Sequence, residues 1–205
     1  MRLNAFSKLT KGEQKQLLDD LNYLNSTEIK SFCNRHSIPY RIAIETRDGN
    51  RRTTKDVDRK GVMLKRIRHF LQTGLVLAET CFPATIVCFD PLAHNITQEA
   101  RIFYGQYDKK NSKLIALLKS LTNGQFEDGA IARILAREFW SKGEAPTLKE
   151  YASAWIGASR EHTRPNPEWA FLSDKANKLA ISDWKQLRAN KASKVMKLLN
   201  QIDAG

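Results

Sequence analysis

The sequence predicts a mainly α-helical fold: an N-terminal unit of helix, extended hairpin and helix, followed by an all-helical C-terminal domain. Three observations carry this expectation. Apolar residues recur at three- and four-residue spacing over most of the 205-residue chain, the period of a half-buried helix. Two residue pairs, Asn25 with Glu28 and Thr147 with Glu150, have the spacing of a capping box. One stretch departs from the helical period, because Asp48-Gly49, a dipeptide that tolerates positive φ, separates two short segments rich in Ile and Thr.

The elements follow in order. Leu17, Leu18, Leu21 and Leu24 make residues 11–25 helical. A second helix opens at the Asn25/Glu28 box, carries Ile29 and Phe32, and stops near His36 because Pro39 follows. Segments 40–46 and 50–54 form a small basic hairpin around Asp48-Gly49. A third helix over 56–73 puts Val62, Met63, Ile67, Phe70 and Leu71 on one apolar side and ends at Gly74. Residues 75–92 read as a buried apolar connector, in which 85–89 is either a short strand or a linker. Helices are then expected over 97–107, 112–121, 128–141, 147–158, 166–176 and 182–202, punctuated by Gly124, Gly129, Gly143 and the Pro165–Pro167 segment. The resulting organisation is a basic unit over 1–74, the connector over 75–92 and a helical domain over 93–205.

All four tryptophans, Trp140, Trp155, Trp169 and Trp184, fall in this last part at near-regular spacing. They read as large aromatics feeding a shared core, with stacking on bases as the functional alternative.

Lys and Arg number 34 against 22 Asp and Glu, for a formal charge of +12. That excess points first to a polyanionic partner. A membrane-spanning class is excluded by sequence, since the longest greasy stretch, Leu75 to Leu92, is broken by Glu79, Pro83 and Asp90, short of the roughly 18–20 residues needed. The first residues lack the apolar block of a secretory signal, and Cys33, Cys81 and Cys88 fit no zinc or thioredoxin spacing. The expectation is a soluble protein with reduced thiols, cytoplasmic and nucleoid-associated, or nuclear.

The charge is uneven. Residues 1–74 hold 16 basic and 8 acidic side chains, and residues 35–68 alone hold 11 basic against 4 acidic. The candidate nucleic-acid-binding residues are Arg35, Arg41, Arg47, Arg51, Arg52, Lys55, Arg59, Lys60, Lys65 and Arg66. Most are arginine, whose planar fork suits phosphate and guanine. Lys185, Arg188, Lys191 and Lys194 form a secondary basic region, but a three-residue spacing drifts by about 60° per step, so these side chains spiral around their helix.

The first unit resembles the SAP domain, a short helix–loop–helix DNA-binding module. The resemblance rests on the stretch Ile29 to Pro39, with Lys30, Phe32, Cys33 and the Ile38-Pro39 exit, and on Lys60, Met63, Arg66 and Ile67 in the following helix. It covers residues 26–72. Two departures stand out: twenty residues separate Pro39 from Lys60 where the family has a short loop, and Asp58 occupies the place of a usual glycine. The resemblance implies DNA binding through the basic loop and the start of the second helix.

No constellation for catalysis accompanies these features. His36, His69, His94 and His162 stand alone, and the chain has no phosphate-cradling Gly-Lys-Ser/Thr loop, no Gly-x-Ser-x-Gly and no His-Glu-x-x-His. Neither a cofactor nor a metal is expected. The leading expectation is a non-catalytic nucleic-acid-binding protein, DNA favoured over RNA, with a possible protein partner on the C-terminal domain and no membrane association. A nuclease built on dispersed carboxylates such as Glu127, Asp128, Glu138 or Glu161 is the enzymatic alternative. The other readings are a helical subunit of a nucleoprotein complex contacting RNA, and an adaptor for an acidic protein partner.

Overall fold

Thr10 opens the first helix, α1 (Lys11–Asp20). Its hydroxyl accepts the Glu13 amide at 3.3 Å and the Glu13 carboxylate accepts the Thr10 amide at 2.9 Å, a reciprocal box that offsets the orphan donors of a helix start. The computed structural model describes residues 5–92, 95–161 and 181–203. Among them it is mostly helical, with one small sheet, and it divides into two compact units that interleave along the chain.

One unit takes Met1–Tyr40, Asp58–Glu79 and Pro165–Gly205. Helix α2 (Ser26–Arg35) starts at the expected box, with Asn25 Oδ1 accepting the Glu28 amide at 2.9 Å and Glu28 accepting the Asn25 amide at 2.6 Å. It ends just ahead of Ser37, whose φ of 54° breaks the helix. Helix α3 (Lys60–Thr73) stops at Gly74, which sits at φ 72° and returns its amide to Phe70 O at 2.8 Å. The two helices meet through Phe32 and Phe70, rings edge-to-face at 6.3 Å. Ile29, Phe32, Leu64 and Ile67 are fully enclosed, each worth about 1.5–3 kcal/mol of transfer from water. The last helix of the chain (Ile181–Asp203) packs back on α1, burying Ala192, Val195 and Leu199 along one stripe.

The other unit takes Arg41–Val57 and Thr80–Arg164. Strands β1 (Arg41–Glu45) and β2 (Arg51–Val57) form the expected antiparallel hairpin, and β3 (Cys81–Phe82) pairs parallel with β1, giving the order β2-β1-β3. Ile42 and Ile44 point into a core that also holds Phe82, Phe126, Trp140 and Tyr151. Helices α4 (Ser112–Leu121), α5 (Ala130–Ser141) and α6 (Leu148–Glu161) cover it. Thr147 and Glu150 cap α6 reciprocally, as expected. With these labels the C-terminal helix is α7.

Three expectations need correction, and one open choice, strand or linker over 85–89, is resolved. Residues 97–107 are not a helix: the Ile102 amide donates to Pro146 O at 2.8 Å and the Tyr104 amide to Ile86 O at 2.9 Å. Those donors are spent on distant strand-like partners, and Gly105, at φ 98°, turns the chain. Helix α3 starts at Lys60, not 56, because β2 runs on until Val57 pairs with Arg41. The strand lies at Cys81–Phe82 while Ala84–Ile86 is a 3₁₀ turn. The 75–92 connector is only partly buried: Phe82 and Ile86 are enclosed, whereas Leu75, Val76 and Phe89 are exposed. The expected 166–176 helix lies outside the described residues. Trp140 and Trp155 are core residues; Trp169 and the Trp184 side chain lie outside the description.

Candidate nucleic-acid interface

The hairpin turn is held by short side chains. The Thr46 hydroxyl donates to Asp48, the Asn50 side-chain amide donates to Asp48 Oδ2 at 2.7 Å, and Gly49 takes φ 81°. These bonds hold the exposed Asp48 carboxyl below its ordinary value, the Thr46 hydroxyl first and Asn50 next. Asp48 thus serves the turn, while the cations around it face water.

Arg47, Arg51, Arg52 and Lys55 are all exposed on this turn and on β2, and Arg41 is exposed at the start of β1. Strand β2 is an edge of the sheet. Arg51 lies opposite Glu45, with a loose ion pair at 3.6 Å, and Arg52 lies opposite Ile44. Neighbours in a strand point to opposite faces, so Arg51 shares the face of Glu45 and Arg52 the core-packed face of Ile44, and both stay exposed at the edge of the sheet. Arg41, Arg47, Arg52 and Lys55 have no side-chain partner among the described residues.

The other five expected residues belong to the unit built on α1, α2, α3 and α7. Lys65 is exposed and Arg59 half-buried at the N-cap of α3. Arg35 is tied to Asp203 at 2.6 Å and to Asn200 at 3.3 Å. Lys60 turns inward, its amine donating to Asn22 O; burial first, and the Arg188 cation second, push it down to about 8. Arg66 is not at a surface at all. It is 4% exposed, bonded to Asp58 at 2.5 Å, Pro39 O at 3.1 Å and Ala78 O at 3.0 Å, so its fork is consumed by the fold. Arginine periodicity carries no mark of which cation folds inward.

In the secondary region Lys185 and Lys194 are exposed, as the spiral implies. Arg188 donates to Tyr23 O at 2.9 Å and to Glu28, and Lys191 bonds Asp20 at 3.1 Å above the Tyr23 ring. These two tie α7 to the start of α2 and the end of α1.

A concave site that sequence reasoning missed lies in the unit that holds the hairpin. A cleft of about 310 Å³ opens between Asp56 at the end of β2, Phe89, Tyr104 and Tyr107 on the 87–107 segment, and Arg133 and Arg137 on α5. Tyr104 donates its hydroxyl to Asp56 Oδ2 at 2.8 Å, and Tyr107 donates to Asp128 at 2.7 Å. Burial is the main cause that raises both phenols, Tyr104 to about 12, so both stay neutral donors. Arg137 donates to Val57 O at 2.9 Å. The residues come from three segments separated by more than twenty positions each, so no local motif announces them. The one sequence sign is Arg133 and Arg137, a helical turn apart and on the same face.

Among the described residues, no three His, Cys, Asp or Glu side chains gather in a metal-binding group, and no helix is long and apolar enough to cross a membrane. Comparison with protein-family models, with curated proteins and with solved structures found no match.

Proposed function

We propose that the protein binds nucleic acid, duplex DNA in preference to RNA, by laying the β1–β2 hairpin into a groove. The observation that carries this reading is the exposed cluster of Arg47, Arg51, Arg52 and Lys55 on the hairpin turn and on β2, an edge of the three-stranded sheet. A duplex groove presents a row of phosphates on each wall, and the major groove of B-form DNA admits a two-stranded ribbon. The deep, narrow major groove of A-form RNA does not. Contacts of this kind fix position without reading sequence. The net excess of 34 basic over 22 acidic residues supports the same partner. The SAP-like spacing of α2 and α3 supports it more weakly, because Lys60 and Arg66 are turned inward.

The test is binding of the full chain to a random DNA duplex, the matching single strand and an RNA duplex, each at several salt concentrations. The reading expects duplex DNA to bind most tightly with a steep salt dependence. Preference for RNA would favour a subunit of a nucleoprotein assembly, and absence of all three would favour an adaptor for an acidic protein.

A further inference from the structure

The cleft between Asp56, Phe89, Tyr104 and α5 has a composition that the hairpin reading does not use. Phe89 is 65% exposed, one of the few large apolar side chains left in water, yet it is held in place. The Cys88 amide donates to Tyr104 O at 2.9 Å, and the Gln106 side chain donates to Asp90 O at 2.9 Å, pinning the segment on both sides of the ring. Gly105 makes the approach possible: a Cβ there would lie 2.5 Å from Cys88 O and 2.7 Å from the Phe89 ring. Phe89 stands edge-to-face with Tyr104 at 6.2 Å, and Tyr104 with Trp140 at 5.4 Å. An exposed aromatic on a fixed backbone is a preorganised platform for another planar ring.

Charge completes the site. Arg133 gives its Nε to Gly129 O in its own helix at 3.3 Å, and its two terminal nitrogens have no partner among the described residues. On another side, Asp56 spends one oxygen on Tyr104 and leaves the second without a partner among the described residues. The cleft therefore offers an aromatic platform, a guanidinium fork for an anion, and a carboxylate for a donor on the same ligand. Its volume of about 310 Å³ is at the small end of the roughly 300–1,000 Å³ range of ligand sites, enough for one nucleotide.

We propose that this cleft binds a single nucleotide, its base on Phe89 and its phosphate on Arg133, with Asp56 accepting a hydrogen bond from a base N–H or a sugar hydroxyl. The donor on the ligand distinguishes this class from a phosphorylated tyrosine, which also joins a ring to a phosphate. The phosphorylated phenol ring, which phenyl phosphate isolates, carries no donor for Asp56. The nucleotide can be free or an unstacked residue of a single strand, since both present the same chemistry.

Isothermal titration of the full chain with AMP, adenosine, phenyl phosphate and a single-stranded trinucleotide of adenylate tests the proposal. AMP is expected to bind more tightly than either adenosine or phenyl phosphate. Phe89→Ala should weaken AMP by about five- to a hundredfold, and Arg133→Ala should bring AMP down to the affinity of adenosine. Both substitutions are at side chains reaching solvent, and unchanged thermal melting shows that each variant is folded. Tighter trinucleotide than AMP assigns the site to a strand, and equal affinity assigns it to a free nucleotide. The proposal is overturned if neither AMP nor the trinucleotide binds, if both variants bind AMP as the parent does, or if phenyl phosphate binds as well as AMP. It is independent of the hairpin: the Arg47→Ala, Arg51→Ala, Arg52→Ala triple variant should keep its AMP affinity whatever becomes of duplex binding.

Discussion

Arg66 and Asp58 form an ion pair at 2.5 Å with both side chains only 5% exposed. Two further donors of the guanidinium go to the carbonyls of Pro39 and Ala78, so one side chain joins the exit of α2, the approach to α3 and the segment beyond it. Removing one partner of such a pair leaves the other charged and buried. Arg66→Ala should therefore lower unfolding free energy by about 3–5 kcal/mol in urea titrations. Arg66→Lys should not restore it, because a single ammonium cannot reach three acceptors in a planar fork.

The hairpin predicts the opposite pattern, a large effect on binding with little on stability. Replacing Arg47, Arg51 and Arg52 together with alanine should flatten the slope of log K against log salt on a DNA duplex by about two to three units, near 0.9 for each phosphate neutralised. Affinity should fall alike for every sequence. The melting curve should hardly move, since each exposed substitution is worth no more than about 0.5 kcal/mol. A slope equal to that of the parent in a folded triple variant would remove the hairpin from the contact.

Lys60 predicts a pH dependence of defined sign. Its folded value near 8 lies below the ordinary 10.5, so between those values the unfolded chain binds more protons than the folded one. Stability contributed through this group must rise with pH across that window. Lys60→Met should remove the rise, so the parent gains on the variant as pH goes from 7 to 10. Reductive methylation followed by carbon-13 NMR should show one lysine titrating near 8, and that signal should be absent from Lys60→Met.

Gly105→Ala should be costly although it adds one methyl group. The position combines φ 98° with a Cβ placed 2.5 Å from a backbone oxygen, and such strain costs about 1–3 kcal/mol. A fall of that size in urea, together with weaker AMP binding, is the expected result; an unchanged midpoint would mean that the 88–105 contact relaxes freely.

What could be read from the sequence was what is decided locally. The Asn25/Glu28 and Thr147/Glu150 boxes, Gly74 and the Asp48-Gly49 turn each act within four residues of themselves, and each stands where expected. Residues 97–107 misled because Ala100, Phe103, Tyr104 and Tyr107 recur at helical spacing while the Ile102 and Tyr104 amides answer to Pro146 and Ile86. Arg66 looked like its neighbours because its acceptors, at Pro39 and Ala78, are more than ten positions away. The cleft was invisible for the same reason: Asp56, Phe89 and Arg133 mean nothing to one another until the chain brings them together.

The return of α7 to α1 has a consequence for how the protein is made. Translation delivers Arg41–Val57 and Thr80–Arg164 well before residues 181–203 leave the ribosome, so one unit can finish while the other waits for its final helix. From the end of α3 to the end of α7 the delay is on the order of ten seconds at ordinary elongation rates. During that interval the apolar side of α1 lacks the helix that covers it. A nascent chain stalled there presents a surface for chaperones, and a premature stop anywhere before α7 is felt at α1, far back along the chain.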